Sequence, residues 1–143
     1  MYKALFLSLT MFALSCSGTK QAFDPQSSKK DYLSFGNGGG FSGQVKKYYL
    51  LRDGSLWVSA AGGNEKVGSL SKSVCSQFFK NFVTLGLDKV SLNEPGNRYY
   101  FLGQRIKNTD MTLKWGKEPL ADKNVETLYN ILMNSVKDLE VKK

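Results

Sequence analysis

The chain of 143 residues contains no histidine, two cysteines and three prolines. Without histidine it cannot form a Ser-His-Asp triad, a metal site with histidine ligands or a histidine proton shuttle. With two cysteines it cannot carry the dense disulfide framework of small secreted domains. Hydrophobic residues make up 41% of the chain and charged residues 22%, which are ordinary values for one globular domain with its own core.

Long apolar runs are also absent, except near the N-terminus. Residues 4–14 form an apolar run that follows the positively charged Lys3. A helix of this length spans about 16 Å, roughly half of the hydrocarbon layer of a bilayer. The run therefore predicts the hydrophobic region of a signal peptide rather than a membrane-spanning helix.

The apolar run ends in Ala13-Leu14-Ser15-Cys16, which resembles the lipobox of bacterial lipoproteins. The resemblance implies that residues 1–15 are a lipoprotein signal peptide and that Cys16 carries fatty acyl chains such as palmitate. More than one acyl chain would make membrane attachment through this anchor persistent. The alternative is an ordinary secretory signal with an incidental cysteine.

A polar segment, residues 16–31, follows the signal peptide. It has little to bury, so we expect a flexible tether here and a single folded domain over residues 32–143. With Cys16 acylated, Cys75 is the remaining thiol, and its apolar neighbours predict that it is buried and inert. Surface-exported lipoproteins of Bacteroidota share an acidic cluster after the cysteine. That cluster is missing here, so we expect an outer membrane lipoprotein that faces the periplasm.

Two hairpins are predicted, each followed by a helix. Residues 45–51 and 56–60 flank Asp53-Gly54, which favours a type I′ turn with positive φ at both positions. Residues 98–106 and 111–115 form the second pair. Glycines at 62 and 63 are expected to end the first hairpin.

The two helices are predicted from caps and spacing. The first begins near Ser71 or Ser73 and ends at Gly86, and the second begins at Asp122. Apolar stripes at helical spacing are typical of core faces rather than ligand sites. The first stripe is Val74, Phe78, Phe82 and Leu85; the second is Val125, Leu128, Leu132, Val136 and Leu139, widened by Ile131.

These elements predict an α+β fold with two layers. An antiparallel sheet of about four to five strands would carry both helices on one face, in ββα-ββα order. Residues 32–35 are a candidate edge strand of this sheet.

Five segments then resemble a group of small uncharacterised lipoproteins of Bacteroidota. They are Phe35-Gly36-x-Gly38-Gly39-Gly40-Phe41-Ser42-Gly43, Tyr49-x-Leu51-x-Asp53-Gly54, Pro95-Gly96-Asn97-x-Tyr99, Lys114-Trp115-Gly116 and Leu128-Tyr129-x-x-Leu132. The resemblance implies an envelope location and this domain organisation. The resemblance implies no particular activity, cofactor or catalytic residue.

The glycine-rich segment is the most unusual local feature. A phosphate-binding loop would need Gly-Lys-Ser/Thr before a helix, whereas Gly43 is followed here by Gln44-Val45 and a predicted strand. We therefore expect a bulged sheet edge on which a partner could lie. The candidate binding surface comprises Gly38, Gly39, Gly40, Phe41, Lys47 and Tyr49.

Carboxylates are sparse and fall mostly in predicted turns and caps, such as Asp53, Asp110 and Asp122. The sequence has no Gly-x-Ser-x-Gly segment, no cysteine pair for a metal and no calcium-binding loop. We therefore expect no metal, no cofactor and no enzymatic activity. The leading hypothesis is a membrane-tethered binding or structural module of the cell envelope. The alternative is a hydrolase-like or inhibitor-like envelope factor with a cleft between the hairpin loops.

The formal charge of +8 points to an anionic partner. Tyrosines beside basic residues, at 46–49 and 98–100, could stack on nucleobases. Export would keep the chain away from the genome, so we expect no nucleic acid partner. The partners we expect are the membrane, through the anchor, and an envelope protein or polysaccharide.

Overall fold

The computed structural model describes residues 23–116 and 119–141, which form an α+β domain. The predicted signal peptide, residues 1–15, and the predicted lipidation site Cys16 lie outside the described residues. The strands are β1 (Tyr32–Gly39), β2 (Val45–Leu51), β3 (Ser55–Ala60), β4 (Gly63–Ser69), β5 (Asn93–Glu94), β6 (Arg98–Ile106) and β7 (Thr109–Trp115). The helices are α1 (Lys72–Thr84) and α2 (Lys123–Val141), and a short 3₁₀ turn spans Leu87–Lys89.

The strands form one sheet in the order β4-β3-β2-β1-β6-β7-β5. Neighbouring strands are antiparallel except β5 and β7, which are parallel. The α+β class is thus confirmed, whereas the sheet of four to five strands in ββα-ββα order is wrong, because four strands precede α1. We missed β4 because its glycines and exposed charges are typical of a loop, and it is an edge strand with Val67 as its one buried residue.

Strand β1 lies in the middle of the sheet, not at its edge as we expected. Its glycines leave room for aromatic rings from β6. A Cβ atom on Gly38 would stand 2.7 Å from the hydroxyl oxygen of Tyr99, and one on Gly36 would stand 3.0 Å from the ring of Phe101. The glycine-rich segment therefore serves packing inside the sheet, and the neighbouring strands replace the side chains that it lacks.

Both helices contribute to one hydrophobic core on the same face of the sheet. Ser71 caps α1 by accepting a hydrogen bond from the Val74 N–H, and Gly86 ends the helical region with φ +74°, as predicted. The predicted stripe is partly wrong, because Val74 and Leu85 are exposed. The helix instead buries Cys75, Phe78, Phe79 and Phe82.

The thiol of Cys75 is buried, as expected, and donates to the Leu51 carbonyl oxygen at 3.0 Å. Burial raises its pKa, which keeps the thiol protonated and unreactive.

Helix α2 is capped by Asp122, whose carboxylate accepts hydrogen bonds from the N–H groups of Asn124 and Val125. It buries Val125, Leu128, Leu132 and Val136 as predicted. Ile131 is 46% exposed, and Tyr129 widens the buried stripe in its place. Across 23–116 and 119–141, we find no helix with the length and apolar character needed to cross a bilayer.

The first main hairpin uses a different turn from the one we expected. The Asp53-Gly54 hairpin exists, but positive φ occurs at Gly54 and not at Asp53. The Asp53 carboxylate accepts a hydrogen bond from the Ser55 N–H. The Gly54 N–H donates a hydrogen bond to the Leu51 carbonyl oxygen, which closes a three-residue loop. Two consecutive positive φ angles, typical of a type I′ turn, occur instead at Lys107 and Asn108 between β6 and β7.

The face of the sheet opposite the helices is crossed by residues 23–31, which we call the strap. The Phe23 ring packs against three aromatic rings from β1, β2 and β3, with centroid distances of 5.3–6.1 Å within this cluster. Those rings belong to Tyr32, Tyr49 and Trp57. The Phe23 carbonyl also accepts a hydrogen bond from Asn64 of β4 at 2.8 Å. We expected residues 16–31 to be a flexible tether, and the structure places 23–31 against the sheet instead.

The far end of the strap is held by charged groups. Arg105 of β6 donates to the carbonyl oxygens of Pro25 and Ser28. An ion pair with Asp110 positions the guanidinium, and hydrogen bonding from Arg105 lowers the pKa of that carboxyl group. Asp31 accepts hydrogen bonds from Arg52 and from the Lys107 N–H, each at 2.9 Å. The strap is therefore fixed at both ends.

We predict that Gly36→Ala destabilises the domain by about 3 kcal/mol or more, because its Cβ would clash with the Lys46 carbonyl oxygen at φ +154°. Gly62→Ala is the matched control, since nothing lies within 4 Å of its Cβ, and it should change stability by less than about 0.5 kcal/mol. Urea unfolding measures both. Equal stabilities of the two variants would contradict the packing role of the glycines in β1.

A second prediction concerns the strap. Phe23→Ala should lower the free energy of unfolding by about 3 kcal/mol, because the ring is buried among aromatic side chains. Phe41→Ala removes the same side chain from a fully exposed position and should change stability by less than about 0.5 kcal/mol. Hydrogen exchange of residues 24–31 should accelerate in the first variant and not in the second. A stable Phe23→Ala variant with unchanged exchange would show that the strap does not depend on this ring.

Candidate functional site

The candidate site is a cleft of about 380 Å³ at the end of the sheet beside the β1–β2 loop. We call it the hairpin cleft and define it by Asn37, Gly39, Ser42, Lys46, Arg98 and Tyr100, all of which line it. Its volume falls within the range of about 300–1,000 Å³ that is usual for ligand sites. The cleft therefore has room for a small ligand or one unit of a polymer.

Three side chains from neighbouring strands form the floor of the cleft. Asn37 of β1 lies directly opposite Lys46 of β2 on one side and Tyr100 of β6 on the other. Directly opposite residues in antiparallel strands share a face, so these three side chains stand in one row. The row combines an ammonium group, an amide and a phenol ring.

The Tyr100 ring is fixed by two aromatic neighbours. It stacks on Trp115 with a centroid distance of 6.0 Å and an interplanar angle of 29°, and it meets Tyr129 edge-on at 5.7 Å. Such pairs restrict both position and tilt of a ring. Tyr100 thus gives the cleft a rigid aromatic surface.

Positive charge dominates the cleft. The hydrogen bond with the Tyr48 hydroxyl raises the pKa of Lys46, and Glu140 of α2, whose Oε1 lies 3.7 Å from the Lys46 Nζ, acts in the same direction. Arg98 lies at the mouth, where its side chain runs along Gly40. Among the described residues that line the cleft, Lys46 and Arg98 are the charged ones. An anionic ligand would therefore find charge-assisted donors here.

The glycines of the predicted surface form the rim of this cleft. Gly38 and Gly39 line it, and Gly40 lies beside Arg98. The N–H of Gly39 donates to the Gln44 carbonyl and that of Gly40 to the Asn97 carbonyl, so these groups are not directed at an anion. This geometry does not suit a phosphate cradle. Phe41 stands at the tip of the loop and is fully exposed.

Lys47 and Tyr49 do not join the glycines in one site. Both lie on the face that the strap crosses, where the Lys47 Nζ stands 5.1 Å from the centroid of the Tyr49 ring and 5.7 Å from that of Phe101. Burial lowers the pKa of Lys47. Tyr49 is buried beneath Phe23. The six-residue surface predicted from the sequence is thus divided between the two faces of the sheet.

Sequence reasoning missed Asn37, Lys46, Arg98 and Tyr100 as members of one site. They are distant in sequence and meet because β1 pairs with both β2 and β6. A prediction that β1 pairs with β6 would have brought them together, since this pairing aligns Asn37 with Tyr100. We had placed β1 at the edge of the sheet, where it has one neighbouring strand, and so did not predict the pairing.

A second cleft of about 470 Å³ lies between the strap and strands β2–β4. We call it the strap cleft and define it by Asp24, Lys30, Asp53, Ser55, Trp57 and Lys66. Its two carboxylates bear on the hydrolase-like alternative, which needs a carboxyl group that holds a proton near neutral pH.

Both carboxyl groups of the strap cleft are held ionised. The Gln26 N–H lowers the pKa of Asp24. Burial opposes ionisation of Asp53, but hydrogen bonds from the Ser55 hydroxyl and N–H outweigh it, so this pKa is lowered as well. A general acid requires a shift in the opposite direction. These two carboxylates are therefore poorly suited to acid catalysis.

Comparison with known proteins assigns no family to the chain. No protein-family model matches it, and no curated protein matches it significantly. The resemblance to lipoproteins of Bacteroidota therefore stays a hypothesis based on sequence segments, and a function has to be argued from the geometry of the clefts.

Proposed function

We propose that the protein is a lipid-anchored, non-enzymatic binding module of the bacterial envelope that holds an acidic polysaccharide in the hairpin cleft. The observation that carries this proposal is the row of Lys46, Asn37 and Tyr100 across three strands, with Arg98 at its mouth. The lipid anchor rests on Ala13-Leu14-Ser15-Cys16. We place the module at the periplasmic side of the outer membrane.

The chemistry of the row favours an acidic sugar polymer over other anions. The carboxylate of a uronic acid would accept charge-assisted hydrogen bonds from the ammonium and guanidinium groups. Hydroxyl groups of the sugar can bond to the Asn37 amide, which both donates and accepts. The apolar face of a sugar ring can pack on the fixed ring of Tyr100. A simple phosphate ion would use the cations alone.

The binding test uses alginate, a soluble polyuronate, with dextran as the neutral comparison polymer. Lys46→Ala and Arg98→Ala should each weaken alginate binding at least about tenfold, equivalent to about 1.4 kcal/mol, when measured by calorimetry at low salt. Lys80→Ala is the matched control, because it removes one exposed positive charge from α1, far from the cleft in sequence and on another element.

Two outcomes would contradict the proposal. Equal weakening by all three alanine variants would show general charge attraction without a site. Failure to bind alginate, together with binding of an acidic envelope protein at the same residues, would replace the polysaccharide by a protein partner.

The anchor has its own prediction. Cys16→Ala should abolish incorporation of radiolabelled palmitate and move the protein from the membrane fraction to the soluble fraction, because the acyl chains provide the attachment. Cys75→Ala is the matched control, since this thiol is buried in the folded domain and should leave labelling unchanged. Retention of label and membrane association in Cys16→Ala would overturn the lipoprotein assignment.

A further inference from the structure

We propose that the strap cleft is a second binding site, which takes an uncharged sugar unit such as a hexose or an N-acetylhexosamine. This inference does not depend on the proposed function, because it concerns other residues on the opposite face of the sheet. It rests on the composition of the cleft, on the fixed position of Trp57 and on the way the strap closes the site.

The charges that line the strap cleft balance. Asp24 and Asp53 are held ionised by hydrogen bonds, and Lys30 and Lys66 supply two positive charges on the same lining. A strongly anionic or cationic ligand would meet a like charge on one of these walls. A neutral ligand rich in hydroxyl groups can instead donate to the carboxylates and accept from the ammonium groups.

Trp57 gives the cleft a preorganised aromatic wall. Its indole N–H donates to the Ser55 hydroxyl oxygen at 3.2 Å, and that hydroxyl donates to the Asp53 carboxylate. The Phe23 ring lies 6.1 Å away on the strap. The indole is thus held from two directions, yet it is only partly buried and lines the cleft. A fixed aromatic ring beside carboxylates suits the mixed apolar and hydroxylated surface of a sugar.

The strap itself forms one wall of the site. Asp24 and Lys30 belong to it, whereas Asp53, Trp57 and Lys66 belong to the sheet or its first hairpin. Packing of Phe23 on the sheet brings the two walls together. Sugar binding should therefore stabilise the docked strap, because a ligand that binds one conformation shifts the equilibrium towards it.

The experiment titrates the full-length protein with N-acetylglucosamine and glucose, with glucuronate as the anionic comparison. Tryptophan fluorescence should change saturably with a dissociation constant on the order of 1 mM for a neutral sugar. The chain has two tryptophans, and Trp115 is buried in the helix-side core, so Trp57→Phe should remove this change. Sugar binding should also slow hydrogen exchange of residues 24–31.

The carboxylate and the cation are tested separately. Asp53→Asn and Lys66→Gln should each weaken sugar binding at least about fivefold. Asp53 also stabilises its own turn, so Asp53→Asn could change the fold as well as binding. Lys66→Gln is therefore the decisive variant, because Lys66 is an exposed side chain on an edge strand. Lys80→Gln and Asp88→Asn are exposed controls away from the cleft and should bind as the unchanged protein does.

Three results would overturn the inference. They are the absence of a saturable change with either neutral sugar at about 50 mM, a glucuronate-induced change in Trp57 fluorescence at the same concentrations as the neutral sugars, and loss of neutral-sugar binding in Arg98→Ala. The last would place the ligand in the hairpin cleft. If the unchanged protein bound neutral sugars but not alginate, the proposed function would be refuted and this inference would stand.

Discussion

The pairing of β1 with both β2 and β6 is the constraint on which the other features depend. It joins residues that are 59 to 73 positions apart in the chain, aligning Gly39 with Arg98 and Tyr32 with Arg105. Such a non-local pairing carries a loop-closure cost that burial on both faces must offset. Leu33 and Phe35 provide this burial on the helix side. On the other side, rings from β6 lie over the glycines of β1.

This central strand gives the sheet two different surfaces. On the helix side, the cationic hairpin cleft lies beside the β1–β2 loop, and its described lining residues come from β1, β2, β6 and that loop. On the opposite side, the strap covers one part of an aromatic surface and forms a cleft with balanced charges. The same ladder of hydrogen bonds thus supports two clefts whose linings differ in charge.

Local features of the fold could be predicted from the sequence, whereas long-range pairing could not. The caps at Ser71 and Asp122 and the end at Gly86 depend on a few adjacent residues, and all three were predicted correctly. The position of β1 depends on Tyr99 and Phe101, which fill the space above its glycines. A contact of this kind produces neither a hydrophobic periodicity nor a turn motif in the sequence. The members of the hairpin cleft therefore could not be predicted together from the sequence alone.

The strap also sets the order in which contacts would break if the domain were pulled from its N-terminal side. Its contacts run across the sheet from Asn64 of β4 to Arg105 of β6. A force applied through the preceding residues would first detach the Phe23 ring, a contact local to one aromatic cluster. The central ladder would be loaded only after Asp31 had also separated from Arg52 and Lys107. Under such a force, the contacts of the strap would have to separate before tension reached the hydrogen bonds of β1.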